Sequence, residues 1–246
     1  MSLQIIPIPI SKDVEAGDDL VGLLLDTKIG KGLKDGDILV FTQKIISKQE
    51  GRIVELSSVI PSLLAEGIGS EYQKNPQIIE LILNESKQII RMNNGILIVE
   101  TKNGFICANA GIDESNVKNG FVTLLPLDAD LSAEKICNRI KKNTGNDIAV
   151  VIADTFGRPF RMGQTNCAIG ISGMRPILDY AGTFDSFKRT LRVTAIAVAD
   201  EICSAAELVM QKTTNCPVVI IRGYDFKNEK SSVCDLLRPQ NEDLFR

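Results

Sequence analysis

Three short apolar runs that lie far apart along the chain constrain its fold more than any other feature. They are DILVFT at 37–42, IAVVIA at 148–153 and PVVIIRG at 217–223. Apolar runs of this length, bounded by polar or turn residues, are typical of buried strands. The sequence therefore predicts strands at all three positions, separated by segments of other structure.

Periodic apolar residues predict helices before and between these strands. The predicted helices lie at 17–28, at two positions within 57–85, at about 133–143 and at 199–210. The first begins with an Asp that can cap a helix, and the second helix within 57–85 opens with Asn75 as its cap and Pro76 at its first position.

The middle of the chain has a different pattern. Two Asn-Gly pairs, at 94–95 and 103–104, are hairpin turn signals, so antiparallel β-structure is predicted over 88–113. The stretch 154–188 is rich in Gly, Arg and Pro and is predicted to be a long irregular loop. A further strand is predicted near 190–198.

The absence of histidine excludes several classes of function. The 246 residues contain no His, which rules out Ser-His-Asp and Cys-His catalysis and histidine-ligated zinc or haem. The 28 basic and 31 acidic residues give a net charge of −3, so no global basic field is available for nucleic acid. We expect any anion site to be local and any metal to be held by oxygen or sulfur.

The cysteines and the hydropathy pattern indicate a cytoplasmic protein. The six cysteines form no CxxC pair and are predicted to be reduced, buried apolar residues, at Cys107, Cys137, Cys167, Cys203, Cys216 and Cys234. No basic leader and no run of about 18 apolar residues is found, so we expect no targeting segment and no membrane role.

Three polar, glycine-bearing segments follow predicted strands, where a scaffold can position reactive groups. They are TQKIISKQEGR at 42–52, NAGIDESN at 109–116 and DTFGRPFRMGQ at 154–164. In the first, Lys44 and Lys48 are one helical turn apart and could direct two ammonium groups at a phosphate. The alternative is a solvated basic turn.

The other two segments offer oxygen ligands. Asp113 and Asn116 could hold a hard cation or a nucleotide group, and an Asx-rich turn is the alternative. Asp154 and Thr155 directly follow an apolar strand. Asp and Thr side chains at strand ends bind Mg²⁺ in a similar way in enzymes of nucleotide-dependent phosphoryl transfer.

Two arginines in the third segment complete the candidate chemistry. Arg158 and Arg161 could act as catalytic anion clamps through their forked donors, or they could simply pair with acids on a surface loop. Neither a P-loop nor a GxGxxG turn occurs. The residues therefore predict a histidine-free site of the Mg²⁺ or Mn²⁺ type, surrounded by several cations.

Taken in order, these segments resemble the coenzyme F420 gamma-glutamyl ligase family over nearly the whole chain. The matching stretches are GDDL at 17–20, DGDILV and ISKQEGR within 35–52, ETKNGFICANAGIDESNV at 100–117, DTFGRPFRMGQTNCAIGISG at 154–173, LRVTAIAVADEICSAAELVM at 191–210 and the closing PVVIIRG. The resemblance implies an α+β fold with two intimately packed subdomains, whose mixed or antiparallel sheets are flanked by helices. The expected subdomains are about 1–86 plus 190–246, with 87–189 inserted.

The resemblance also implies an activity. In this family, GTP phosphorylates the terminal carboxylate of the deazaflavin coenzyme F420-0, and the amine of L-glutamate displaces phosphate to form an amide; a second glutamate is often added through a γ-linkage. The implied cofactors are Mg²⁺ or Mn²⁺ at two sites, with K⁺ as a further candidate. The implied protein is the stand-alone archaeal enzyme, a homodimer.

Family roles transfer to particular residues. Asp113 and Asp154 match the residues of the first metal site. Thr155 matches a residue of the second metal site, and Lys212 matches that second site by position only. The positions matching those around GTP are Ser11, Lys12, Asp13, Val14, Gln43, Lys44, Lys48 and Asn116, and the loop Met210, Gln211, Lys212, Thr213, Thr214, Asn215 and Cys216.

That loop departs from the family pattern at two positions. Gln211 stands where the family usually has Gly, and Lys212 stands where some members have an acidic residue. A protonated lysine has no lone pair for a metal. The alternatives are a ligase of the same fold that uses ATP or another carboxylate, and a module that binds nucleotide or coenzyme without turnover.

Overall fold

The computed structural model describes residues 2–244 of the chain. The strands in this range are β1 (Gln4–Ile8), β2 (Ile38–Thr42), β3 (Ile53–Glu55), β4 (Ser86–Asn93), β5 (Ile96–Thr101), β6 (Ile106–Ala108), β7 (Phe121–Thr123), β8 (Ala149–Arg158), β9 (Arg161–Ser172), β10 (Leu178–Asp179), β11 (Ala195–Ile196) and β12 (Val218–Arg222). The α-helices are α1 (Leu20–Asp26), α2 (Gln43–Gln49), α3 (Leu63–Tyr72), α4 (Pro76–Asn84), α5 (Ala129–Thr144) and α6 (Val198–Met210).

A five-stranded sheet in the order β1-β12-β2-β8-β9 lies at the centre. Strands β2 and β8 run parallel, and every other neighbouring pair in this sheet is antiparallel. The three apolar runs are its three adjacent inner strands, and their residues 38–41, 149–152 and 218–221 are all buried. The three predicted strands are therefore confirmed, and burial of their side chains supplies the main core.

Helices cover this sheet with apolar stripes. Helix α5 packs on β8 and β9, and α6 packs on β9, β1 and β12. Their buried residues recur at helical spacing, at Ala133, Ile136 and Ile140 in α5 and at Ala199, Ile202, Cys203 and Ala206 in α6. Both helices contribute to the same hydrophobic core as the sheet.

The caps of the predicted helices form as the sequence indicates. The Asp19 side chain accepts a hydrogen bond from the first turn of α1, and the Asn75 side chain does so for α4, which begins at Pro76. Helix α5 is longer than predicted because Asp128 caps its start and Gly145, in a left-handed conformation, ends it.

Residues between β2 and α5 build a smaller β-rich layer. Strands β4, β5 and β6 form an antiparallel sheet, and α3 and α4 pack beside it around a separate small core. Strands β3 and β7 pair next to it. The predicted antiparallel structure is confirmed over 88–108, but residues 109–111 form a 3-10 turn, and Asp113 bridges to Thr123.

The prediction of a long loop at 154–188 is wrong over its first half, because β8 and β9 form a long hairpin there. The outer ends of both strands, residues 154–165, are exposed or half-buried and mix polar with apolar side chains. They therefore lack the apolar alternation that identifies a strand, although ladder hydrogen bonds hold them extended. The strand predicted near 190–198 is reduced to the two residues of β11, paired with β10.

The central sheet crosses the predicted subdomain boundaries. Strands β8 and β9 and helix α5, which all fall within the predicted insert 87–189, share one hydrophobic core with β2 and β12. The boundaries at 87 and 189 therefore do not separate two cores. The residues with small cores of their own lie between β3 and Leu124.

The cysteines only partly match their predicted burial. All six are free; Cys107 and Cys203 are buried, three are half-buried, and Cys234 is exposed because it lies in a 3-10 turn near the C-terminus. Burial raises the pKa of the Cys107 thiol to about 12. Among residues 2–244, no helix combines the length and apolar character needed to cross a membrane.

Candidate functional site

The parallel pairing of β2 and β8 brings two polar segments to one edge of the central sheet. Thr42, the last residue of β2, lies opposite Ala153 in β8. Helix α2 starts directly after Thr42, and Asp154 follows Ala153. Because the carboxyl ends of parallel strands face the same side, the lysines of α2 and the polar end of β8 share this edge.

Of the two carboxylates at this edge, Asp154 is the one whose negative charge is less balanced by positive partners. Within residues 2–244, no ion pair reaches it. Burial raises the pKa of Asp154 to about 6; the negative charge of Asp113 adds to this, while the Thr155 backbone and the charges of Lys212 and Lys44 oppose it. Two carboxylates and two ammonium groups therefore act on one another across this edge.

A chain of hydrogen bonds runs outward from Thr155. Its hydroxyl donates to Asn166 Oδ1 at 2.7 Å, directly across the hairpin. The Asn166 amide in turn donates to Glu207 Oε2 at 2.9 Å. Lys212 Nζ donates to Thr155 Oγ1 at 2.7 Å and lies 3.3 Å from Glu207 Oε1. Strands β8 and β9, helix α6 and the loop that follows α6 are thereby joined.

Lys44 ties helix α2 to the loop after β6. Its Nζ lies 2.7 Å from Asp113 Oδ2 and 2.8 Å from the carbonyl oxygen of Ser115. Burial of Asp113 acts to raise its pKa, but the hydrogen bonds from Lys44 and from the Ser115 backbone outweigh burial and hold the pKa below its ordinary value. Asp113 is therefore the more acidic of the two carboxylates.

Lys48, one turn further along α2, pairs with a different segment. Its Nζ lies 2.6 Å from Asp13 Oδ1. The predicted nucleotide stretch around Asp13 is exposed at Ser11 and Lys12, where Lys12 pairs with Asp18, whereas Val14 is buried in the core.

The loop 210–216 lies beside this N-terminal stretch, because the carbonyl oxygen of Asn215 accepts a hydrogen bond from the Ile10 amide at 3.2 Å. Met210 is buried at the end of α6, and Thr214 donates back to its carbonyl oxygen. Gln211 has a φ of 50°. The remaining predicted members are the exposed Thr213 and the half-buried Cys216.

Four predicted residues take no part in these clusters. Gln43 is buried and donates to Ser47 Oγ and to the Leu124 carbonyl oxygen, so its amide holds the fold together. Asn116 is exposed in the loop after Asp113. Arg158 donates to the Met162 carbonyl oxygen within the hairpin, and Arg161 is exposed at the start of β9. These arginines lie at the hairpin tip, and their catalytic role stays a prediction.

The carboxylates suit one divalent ion. Among the described residues, no group of three His, Cys, Asp or Glu side chains could enclose a metal. Mg²⁺ needs no such cage, since it is typically bound by one or two carboxylates together with water and phosphate oxygens. Asp154, which is half-buried, forms no ion pair within residues 2–244 and is influenced by the charge of Asp113, fits that mode. The second predicted metal site does not suit a metal ion, because the ammonium of Lys212 already donates a hydrogen bond to the Thr155 hydroxyl oxygen.

Sequence reasoning missed Asn166 and Glu207, which orient Thr155 and Lys212. Asn166 is a buried amide where the exposed outer half of β9 meets its apolar inner half, and Glu207 is a half-buried carboxylate in α6. No sequence signal distinguishes them, because Asn166 follows the polar residues at 164–165, and burial with a partner becomes visible only in the fold.

The fold and the site define a histidine-free protein whose sheet edge gathers carboxylates and ammonium groups. Residues 10–223 match the family model described as F420-0:gamma-glutamyl ligase, so the chain belongs to this family. It is 45% identical to the coenzyme F420:L-glutamate ligase of Methanothermobacter thermautotrophicus over the full length of both chains. It is 43% identical to the enzyme of that name from Methanocaldococcus jannaschii, over 87% of this chain and 86% of the relative. It is 38% identical to the enzyme of that name from Archaeoglobus fulgidus, over 100% of this chain and 97% of the relative.

Proposed function

We propose that this chain is a GTP-dependent ligase that joins L-glutamate to the coenzyme F420 precursor F420-0. The observation that carries the proposal is the meeting of Asp113, Asp154, Lys44 and Lys212 at one sheet edge in a member of this family. A triphosphate, a phosphodiester-bearing coenzyme and a dicarboxylate repel one another, and lysines with a divalent ion offset that repulsion.

The proposed reaction has two steps. In the first, a carboxylate oxygen of F420-0 attacks the γ-phosphorus of GTP, the bond to the bridging oxygen breaks, and GDP leaves. In the second, the amine of L-glutamate attacks the acyl carbon of the acyl phosphate, phosphate leaves, and the nitrogen loses a proton. No side-chain nucleophile is required, because phosphate activates the acyl group. The same chemistry applied to the product would add a second glutamate.

Particular residues are assigned to this reaction. Asp113 and Asp154 would hold Mg²⁺ or Mn²⁺, which when bound supplies positive charge to the phosphate oxygens. Lys44, released in part from Asp113 once a cation shares that carboxylate, would donate to phosphate. Lys48 and the stretch around Asp13 lie beside the loop 210–216, where we place other parts of the nucleotide.

Mass spectrometry of the coenzyme tests the proposal. Glutamate-free coenzyme is incubated with the protein, L-glutamate, GTP and Mn²⁺, beside samples with ATP and without nucleotide. We expect a GTP-dependent gain of one or two glutamyl units. Tight nucleotide binding without any gain would instead support a binding module, and a gain only with ATP would overturn the nucleotide assignment.

Asp154→Asn is the matching variant. Loss of one ligand charge should lower the rate by at least about 100-fold while the fold is kept. The matched control, Asp225→Asn, changes an exposed aspartate and should keep the wild-type rate. Wild-type turnover by Asp154→Asn at saturating Mn²⁺ would remove Asp154 from the site.

We further propose that two copies form a homodimer in the cytoplasm. The hairpin tip exposes Phe160 and Met162, and the segment between β10 and β11 exposes Phe184, Phe187 and Val193, an apolar surface that a second copy could cover. The six free cysteines suit a reducing compartment. Light scattering should give twice the chain mass of 26.9 kDa, and a monomeric mass would overturn the dimer.

A further inference from the structure

The ammonium of Lys212 lies where the second cation was predicted. It donates to Thr155 Oγ1 at 2.7 Å, and Glu207 Oε1 lies 3.3 Å away as its counter-charge. About 65% of the Lys212 side chain is accessible to solvent. The lysine is therefore anchored by two oxygens, while its third N–H can still meet a ligand.

The polar groups around this ammonium already have hydrogen-bond partners. Thr155 uses its proton toward Asn166 Oδ1, and Lys212 takes one of the two acceptor positions on its oxygen. Asn166 is buried, and its amide is held by Glu207 Oε2 at 2.9 Å. A ligand that approaches Thr155 from the Lys212 side therefore meets the lysine ammonium, which is a donor without lone pairs.

We propose that Lys212 replaces the second divalent ion, so that this chain binds its nucleotide with one divalent ion, held by Asp113 and Asp154, and with the lysine ammonium as the second positive charge. The inference rests on the proposed function, because it assigns a partner to the nucleotide phosphates.

Charge explains why the lysine and a second metal exclude each other. A divalent ion coordinates oxygen at about 2.1 Å, so an ion on Thr155 Oγ1 would lie within about 5 Å of the ammonium. Glu207 is the only acid within residues 2–244 that forms an ion pair with Lys212, and one carboxylate cannot neutralise both cations. In a Lys212→Glu variant, a carboxylate takes the place of the ammonium. Thr155, Glu207 and the new acid then form a site for a second divalent ion.

Counting bound Mn²⁺ tests the proposal without measuring turnover. The protein is saturated with the non-hydrolysable analogue guanosine 5′-(β,γ-imido)triphosphate, and Mn²⁺ retained per chain is measured by equilibrium dialysis and electron paramagnetic resonance. The wild type should retain one Mn²⁺ per chain, and Lys212→Glu should retain two. Lys227→Glu makes the same charge change at an exposed lysine and should stay at one.

Each outcome decides the matter. Two Mn²⁺ in the wild type, or one in both the wild type and Lys212→Glu, overturns the proposal. No nucleotide-dependent Mn²⁺ in any of the proteins overturns the proposed function itself, and the inference with it. Circular dichroism checks that Lys212→Glu is folded; if it is not, the wild-type count alone decides.

Discussion

At the scale of single residues, the raised pKa of Asp154 makes the stability of the folded chain depend on pH. Burial raises this pKa to about 6 from its ordinary value of 3.8. Between those values the folded chain holds a proton that the unfolded chain lacks, so this residue's contribution to stability falls as pH rises from about 4 through about 6. The loss is on the order of 2 kcal/mol.

The prediction is a pH-dependent difference between wild type and Asp154→Asn. The variant cannot ionise here, so its advantage in unfolding free energy over the wild type should grow by about 2 kcal/mol between pH 4 and pH 7. Urea unfolding of both proteins without metal, at several pH values, gives this difference directly. A constant difference across that range would contradict the assigned cause, because other carboxylates titrate in both proteins alike.

Residue chemistry was readable from the sequence where a polar group stood at a strand end. Asp113, Asp154 and Lys44 were found in this way, and the structure brings them together. The partners of Lys212 were not found, since Glu207 looks like an ordinary charge on a helix and Asn166 like an ordinary strand residue. Their pairing depends on α6 packing against β9, which is a long-range contact.

At the scale of elements, helix α5 lies closer to β9 than a side chain on Gly170 would allow. A Cβ there would lie 2.5 Å from the carbonyl carbon of Ala129. Gly170→Ala should therefore lower the free energy of unfolding by about 3 kcal/mol, because backbone must move. Gly157→Ala, in the same hairpin with nothing within 4 Å, should change it by less than about 0.5 kcal/mol. Equal unfolding curves for the two variants would refute the close packing.

The end of α6 stores backbone strain at Gln211. Its φ of 50° and ψ of −178° lie where side chains are disfavoured. Gln211→Gly should therefore stabilise the protein by about 1 kcal/mol. Thr213→Gly, at a neighbour without a positive φ, should destabilise it instead. Thermal unfolding of the two variants compares them, and a lower melting temperature for Gln211→Gly would argue against strain at this helix end.

Elements were predictable where burial imposed a continuous apolar run or a helical period. The inner strands and the helices that cover them follow such patterns, and the structure confirms them. The outer half of the β8–β9 hairpin could not be predicted, because its strands leave the core and are held by hydrogen bonds between main chains. The composition of this segment indicated a loop, since Gly and Arg are common both in loops and in the outer part of this hairpin.

At the scale of the whole molecule, the site is assembled from segments that are remote in sequence. Asp13, Lys44, Asp113, Asp154 and Lys212 come from five parts of the chain, and the central sheet and its hairpin bring them to one side. The net charge of −3 gives no hint that charged groups of both signs are concentrated there. The site therefore depends on the whole fold, and the fold should respond to its ligands.

A nucleotide and a divalent ion should stabilise the entire chain. A ligand at about 100 times its dissociation constant adds about 2.7 kcal/mol to the stability of the folded state. For a protein of this size each kcal/mol raises the melting temperature by about 2–4 °C, so the GTP analogue with Mn²⁺ should raise it by roughly 5–10 °C.

Calorimetry of the wild type and of Asp154→Asn separates the contributions of the two ligands. The variant should lose most of the increase that depends on Mn²⁺, because it has lost one charged ligand, and should keep the part that nucleotide alone provides through the lysines. If Mn²⁺ raised the melting temperature of both proteins equally, the ion would be bound elsewhere. If the analogue had no effect with or without the metal, the sheet edge would not be a nucleotide site, since a ligand that contacts five segments of the folded chain cannot bind the unfolded chain in the same way.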